Sequence, residues 1–297
     1  MGFVDRETRM SFAFCVLASG SAGNCTLLQF GDGVDHPRRN ILVDAGLSPR
    51  ATARALHPLG VRPEDLTHIL LTHFDSDHFH PGWIKVLGER RVPAMLMIHH
   101  HHRNTAWSLG LTTRFVTTFK DPFDLQQTSV HPMLQAHDAL GSVSYVIEHD
   151  GRRLGYATDL GHVSDSLLDH FQNLHALAIE SNYDRQMQLA SPRPGFLKDR
   201  IMGGAGHLSN EQCLDAVLHI ESRSALSHIA LLHLSRECNC PKHLRMIYTR
   251  RAAHLLDRLT ITSQSTPTTL LPVQPWPHAR LVEHKPLQHQ MRLFAGT

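Results

Sequence analysis

Short apolar runs alternate along the chain with clusters of Gly, Pro, Asp and Asn. The runs at 13–17, 26–30, 41–43, 68–71, 95–98, 143–148, 153–157, 175–179 and 228–234 read as strands. Gly-Asp-Gly at 31–33 and Asp-Gly at 150–151 mark hairpin turns, because tight primed turns favour residues that tolerate positive φ. Stretches 49–59, 83–89, 163–170 and 210–220 fit helices. Ser209 and Gln212 make a capping-box pair for the last of these, and Leu214, Val217 and Leu218 share one of its faces. Strand runs followed by helices, twice over, predict an α/β architecture with two sheets face to face and helices outside. No sequence repeat proves a duplication. Residues 1–10 read as a loose tail, 11–263 as the folded domain, and 264–297, rich in Pro, Gln, Thr and His, as an irregular extension.

Composition narrows the class. At 297 residues with 41% apolar and 19% charged positions, the chain can bury one substantial core. The formal charge of +2 excludes a strongly basic nucleic-acid coat and leaves room for a local basic groove. The five cysteines (15, 25, 213, 238 and 240) are too few and too irregular for a disulfide framework. The apolar stretch 12–18 is too short to span a bilayer and lacks a secretory cleavage context. A reduced, cytoplasmic protein with no membrane partner is the expectation. The unusual count is 25 His.

The chemistry concentrates at 72–82, Thr-His-Phe-Asp-Ser-Asp-His-Phe-His-Pro-Gly, directly after the apolar run Ile69-Leu70-Leu71. Imidazoles and carboxylates are the side chains that hold Zn, Fe or Mn. In a loop, positions 73, 75 and 77 can converge on one side while His78 turns toward a second metal. Further polar residues end later apolar runs: His137, Asp159, Glu180 and His233. His207 sits in a Gly-rich stretch before a helix start, a setting that suits an anionic phosphate. The four-His run 99–102 reads as an exposed loop, and Cys238-x-Cys240 is too tightly spaced for a zinc ribbon.

These passages resemble the metallo-β-lactamase fold superfamily, whose signature is His-x-His-x-Asp-His. Residues 12–245 resemble its YycJ/WalJ-like, exonuclease-like branch. The matching passages are Leu-Ala-Ser-Gly-Ser-Ala-Gly-Asn-Cys at 17–25, Leu-Val-Asp-Ala-Gly-Leu-Ser at 42–48, Ala-Thr-Asp-Leu-Gly-His at 157–162, Ile-Glu-Ser-Asn-Tyr-Asp at 179–184, Gly-His-Leu-Ser-Asn-Glu at 206–211 and His-Leu-Ser-Arg-Glu at 233–237. Three departures mark a divergent subgroup: Asp75 in place of the second His of the signature, Tyr183 in place of a His, and Cys238-Asn239-Cys240 in place of an Asn-rich turn. An oxygen ligand at 75 favours harder metals, so Mn or Fe join Zn as candidates.

The resemblance implies a four-layer αββα sandwich with two divalent metal ions at one edge. His73, Asp75 and His137 would hold the first metal, Asp77, His78 and His233 the second, and Asp159 would bridge them. A water shared by the metals would be the nucleophile, oriented by Asp77. His207, paired with Glu180, would protonate the leaving oxygen, a contribution of about 10²–10⁴-fold. Ser19, Ser21 and Asn24, in the small-residue turn 19–24, and Lys198 and Arg200 are candidates for contacting substrate. The activity so implied is a dinuclear phosphodiesterase or nuclease acting on single-stranded DNA or a small phosphodiester. Hydrolysis of another ester, thioester or lactone, or a non-hydrolytic metal-binding or redox role, stand as alternatives.

Overall fold

Alternation along the first strands sets the layering. In β1 (Phe12–Ala18), Phe12, Phe14 and Val16 enter one apolar core while Cys15 and Leu17 enter another. The same division recurs in β2 (Cys25–Phe30), with Leu28 and Phe30 against Cys25 and Leu27, and in β3 (Arg39–Val43), with Ile41 and Val43 against Leu42. Strands apolar on both faces must be covered on both faces. The structure is a computed structural model that describes residues 11–31 and 38–278.

The first half continues with α1 (Pro49–Leu56), β4 (Leu66–Leu70), α2 (Gly82–Gly88), β5 (Met95–His99), α3 (Arg103–Ser108) and β6 (Val116–Phe119). The second half runs β7 (Phe123–Leu125), β8 (Thr128–Gln135), β9 (Ser142–His149), β10 (Arg152–Ala157), α4 (Asp165–His170), β11 (Ala176–Glu180), α5 (Arg185–Ala190), α6 (Gly195–Met202), α7 (Asn210–Glu221), β12 (His228–Leu232), α8 (Pro241–Arg251) and β13 (Leu259–Ile261), and β14 (Leu271–Pro272) follows. One sheet has the order β14-β1-β2-β3-β4-β5-β6 and the other β13-β12-β11-β10-β9-β8-β7. Each begins as an antiparallel meander and continues with parallel strands joined through helices. The halves therefore repeat each other in topology where the sequence showed no repeat.

Three cores result. Phe14, Val43, Tyr145, Tyr156, Ala178 and Leu232 pack between the sheets. Trp83, Leu87 and Ala106 bring α2 and α3 onto the outer face of the first sheet. Leu167, Leu214, Val217, Leu244 and Tyr248 bring α4, α7 and α8 onto the outer face of the second. This is the expected four-layer αββα sandwich. Among the described residues, no helix is long and apolar enough to cross a membrane.

Local chemistry agrees with several sequence expectations. Ser209 Oγ accepts from Gln212 N while Gln212 Oε1 accepts from Ser209 N, so the capping box starts α7. Asp150 and Gly151 take φ of 51° and 68° and join β9 to β10 as the predicted hairpin. The Gly-Asp-Gly turn extends beyond the described residues, and the tail 1–10 lies outside them. The His run is not an exposed loop throughout: β5 ends at His99, a short 3₁₀ turn covers His100–His102, and His99 and His102 are buried. Part of the stretch set apart at 264 is built into the body. β14 pairs with β1, and Thr268 N donates to Val16 O. Ser19 N donates to Ser263 O, Ala22 N to Gln264 Oε1, and Gln264 Nε2 to Leu234 O. Residues 279–297 lie outside the described structure.

Strands β3, β4, β8, β10, β11 and β12 all end at the same edge of the two sheets. Each delivers its next residues to one place.

Candidate metal centre

The loop after β4 is held by backbone bonds before any ligand is considered. Asp75 O accepts from His78 N at 2.8 Å and from Phe79 N at 2.9 Å, curling 75–79 into a helical turn. Asp77 O accepts from Asn24 N at 2.7 Å. Gly46 passes so close that a Cβ there would lie 1.8 Å from Asp77 O, so only glycine fits. Asp44, Asp159 and His233 take φ of 62°, 54° and 55° just beyond β3, β10 and β12. Left-handed backbone is costly for residues with a Cβ and clusters at functional sites. Here it turns three strand-end side chains toward the common edge.

Four sets of donor atoms converge, with the atoms of each set within 4.8 Å of one another. His73, Asp75 and His137 form one, and Asp77, His78 and His233 another. His73, His78 and Asp159 form a third between them. Asp159, Glu180, His207 and His233 form the fourth. Asp159 Oδ2 lies 2.9 Å from His78 Nε2, and its Oδ1 lies 3.3 Å from His233 Nδ1 and 3.8 Å from His137 Nε2. The His73 and His78 ring centroids are 4.2 Å apart.

The site fits a cation. His73 is 3% exposed; its Nδ1 lies 3.0 Å from Thr72 Oγ1, but its Nε2 has no hydrogen-bond partner. A buried imidazole nitrogen facing carboxylates without a partner is costly unless something positive meets it. The donor set, imidazoles with carboxylates, suits Zn, Mn or Fe. The candidate sets among the described residues include neither Cys238 nor Cys240.

Buried charge governs the protonation of this cluster. Burial alone would lower the His233 pKa, yet Asp159, Asp77 and Glu180 outweigh it and push it up to about 10. Burial would raise Asp77; its bond to His233 and the nearby His78 bring it down to about 2 instead. His207 behaves like His233: against burial, the Glu180 carboxylate at 2.8 Å from its Nδ1 raises its pKa. Glu180 is fully buried, and its Oε2 also accepts from Leu160 N and Leu208 N, so the carboxylate is fixed by backbone on two sides.

The sequence candidates separate into those at the cavity and those beneath it. A cavity of about 460 Å³ opens over Asp75, Asp77, His137, Asp159, His207 and His233. Ser21 and Arg200 line it, and Arg200 also pairs with Asp138. Ser19 and Asn24 do not face it. Both are buried; Ser19 Oγ accepts from His233 N at 2.7 Å, and Asn24 Nδ2 lies 2.9 Å from His78 Nε2. Their contacts are with His233 and His78 rather than with the cavity. Lys198 donates from Nζ to Leu189 O and is not among the lining residues.

Sequence reasoning missed Asp44, although the passage 42–48 was in view. Its carboxylate accepts from Thr72 N at 2.8 Å and from Thr72 Oγ1 at 2.9 Å, and its Oδ2 lies 2.8 Å from His78 Nδ1. The usable signal was the one applied to Asp159, an acid directly after an apolar strand. Asn182 was also missed; its Nδ2 donates to His233 O at 2.8 Å.

The family described as beta-lactamase superfamily domain matches residues 39–229. Exodeoxyribonuclease YycJ of Bacillus anthracis is 30% identical over 243 residues, which cover 80% of this chain and 88% of that one. Exodeoxyribonuclease WalJ of Streptococcus pneumoniae is 28% identical over 252 residues, covering 81% and 88%. Among solved structures, the metallo-β-lactamase fold protein YhfI from Bacillus subtilis superposes with a TM-score of 0.60 at 17% identity, over 86% of this chain and 99% of that one. The short form of human tRNase Z gives 0.60 at 15% identity, over 87% and 99%.

Proposed function

The chain belongs to the β-lactamase superfamily, as a hydrolase of the metallo-β-lactamase fold, and from that premise we propose that it is a metal-dependent phosphodiesterase acting as a nuclease on single-stranded DNA or on small phosphodiesters. In this reading His73, Asp75 and His137 would hold one divalent cation and Asp77, His78 and His233 a second, with Asp159 as a further donor. Cations held there would supply positive charge and Lewis acidity toward the phosphodiester and a water.

The remaining work falls to the chain's own groups. Asp77 lines the cavity and accepts from the attacking water, which sets its orientation. His207 Nδ1 is engaged by Glu180, so Nε2 is the nitrogen free to meet the leaving oxygen, and the Glu180 carboxylate favours the protonated imidazole. Glu180 acts on the imidazole, not on substrate. Arg200, at the cavity wall, offers a planar donor set to a phosphate oxygen.

The observation that carries this reading is the Glu180–His207 pair, 2.8 Å apart beside the donor cluster and at the cavity. An alkoxide leaves poorly without a proton, whereas a thiolate has less need of one. The names of the exodeoxyribonuclease relatives support the same substrate class. The test is cleavage of single-stranded DNA and bis(p-nitrophenyl) phosphate by protein stripped with chelator and reloaded with Zn, Mn or Fe. Activity is expected to vanish with chelation and return with metal. Cleavage of thioesters or lactones, with neither phosphodiester cut under any metal, would replace this reading.

A further inference from the structure

A second cavity, of about 200 Å³, shares Asp75, His137 and Asp138 with the main one. Its other walls include Phe74, His102, Thr105 and Leu140. His102 is 1% exposed, and among the described residues neither of its ring nitrogens has a hydrogen-bond partner. Two unpaired polar atoms on one buried side chain are costly. Nothing in the fold uses them: His102 is absent from the donor sets of the metal centre.

We propose that this cavity is a slot for the terminal nucleobase of the substrate, with His102 hydrogen-bonding the base edge while the adjoining phosphodiester lies over the metal centre. The proposal rests on the phosphodiesterase reading and adds a reason for action at a chain end. The slot is smaller than the roughly 300–1,000 Å³ that accepts drug-sized ligands, so it takes one ring system and not a whole nucleotide. Phe74 and Leu140 give it apolar surface, as a planar base requires. Burial, with His73 and neighbouring histidines adding to it, brings His102 down to about 4. Whichever ring nitrogen meets the base can donate or accept according to the tautomer, so His102 can pair with either kind of group on a base edge.

The experiment uses the metal-loaded full chain and single-stranded oligonucleotides that differ only by an abasic residue at one end or the other. Loss of the terminal base at the scissile end is expected to lower kcat/KM about tenfold, the scale of one base contact. His102→Phe and Thr105→Met, which remove the hydrogen bonds or fill the slot, are expected to bring that ratio to within about twofold of unity. Thermal melts establish that both variants fold. A readout without turnover is the NMR shift of the His102 ring protons on adding deoxyadenosine, with deoxyribose as control. Equal cleavage of base-ended and abasic substrates, or discrimination that survives in both variants, overturns the slot. Deoxyadenosine shifts with no oligonucleotide cleavage under any metal would keep the slot and overturn the phosphodiesterase reading; no shifts and no cleavage would overturn both.

Discussion

Asp44 Oδ2 lies 2.8 Å from His78 Nδ1, and both side chains are fully buried. The contact fixes which nitrogen of His78 faces the centre, because the one bound to Asp44 cannot also reach a cation. Asp44→Asn keeps the shape and loses the charge, so the second cation should bind about 10–100-fold more weakly. Competition titrations against a chromophoric chelator read this directly. Unchanged affinity would mean that Asp44 serves only to anchor Thr72.

The donor sets are too many for one ion, so two cations per chain are expected. Elemental analysis after reconstitution with Zn, Mn or Fe checks the number, and one or none would contradict it. Loading should also release protons. In the metal-free chain Asp159, Asp77 and Glu180 push His233 up to about 10 against its burial and so favour its protonated form, whereas a ligand must be deprotonated. Affinity at the second site should therefore fall as pH falls. Neighbouring carboxylates raise His78 as well as His233, so calorimetry in two buffers of different ionisation enthalpy should return about two protons per second-site cation.

Asp75 is expected to set the metal preference of the proposed first site. Its side chain is 53% exposed and reaches toward His73 Nε2 at 3.7 Å. Asp75→His exchanges a hard oxygen for a borderline nitrogen and should shift occupancy from Mn or Fe toward Zn. Equal preference in wild type and variant would remove Asp75 from the ligand set.

His207 and His233 should fail differently. His207→Ala is expected to keep both cations and lose about 10²–10⁴-fold on a substrate with an alkoxide leaving group, with a much smaller loss for p-nitrophenolate. His233→Ala should lose the second cation and fail on both substrates. Glu180→Ala should follow His207→Ala, more mildly. The opposite pattern, with His207→Ala emptying a metal site, would exchange the two assignments.

How much of this was legible follows from the physics of each part. The loop 72–82 stood out because ligand-type residues are sparse elsewhere along strands and dense there. Long, regular patterns were readable: α7 has twelve residues and a capping box, and β9 and β10 flank an Asp-Gly turn. β7 and β13 have three residues each, α3 and α5 six each. At those lengths pairing and packing define the element, not periodicity. Glu180 and His207 are 27 positions apart and meet only through the fold. Asp44 looked like any turn acid, and His102 was lost in a run of four His that composition alone assigns to the surface. The resemblance supplied the pairing of distant residues; it could not supply which small residues lie under the site, as Ser19 and Asn24 do.

The strap at 263–268 carries a consequence for a chain that lacks it. Ser263 and Gln264 clasp the turn 19–22, and Gln264 also holds the carbonyl of Leu234, next to His233. Ser19, which accepts from His233 N, is separated from it by 214 positions. Both sheets have all their described strands except β14 before residue 262, yet the buckle that joins the turn 19–22 to the segment beside His233 lies after it. Removal of this strap is therefore expected to spare the body of both sheets and to leave the turn 19–22 and the carbonyl of Leu234 without their clasp.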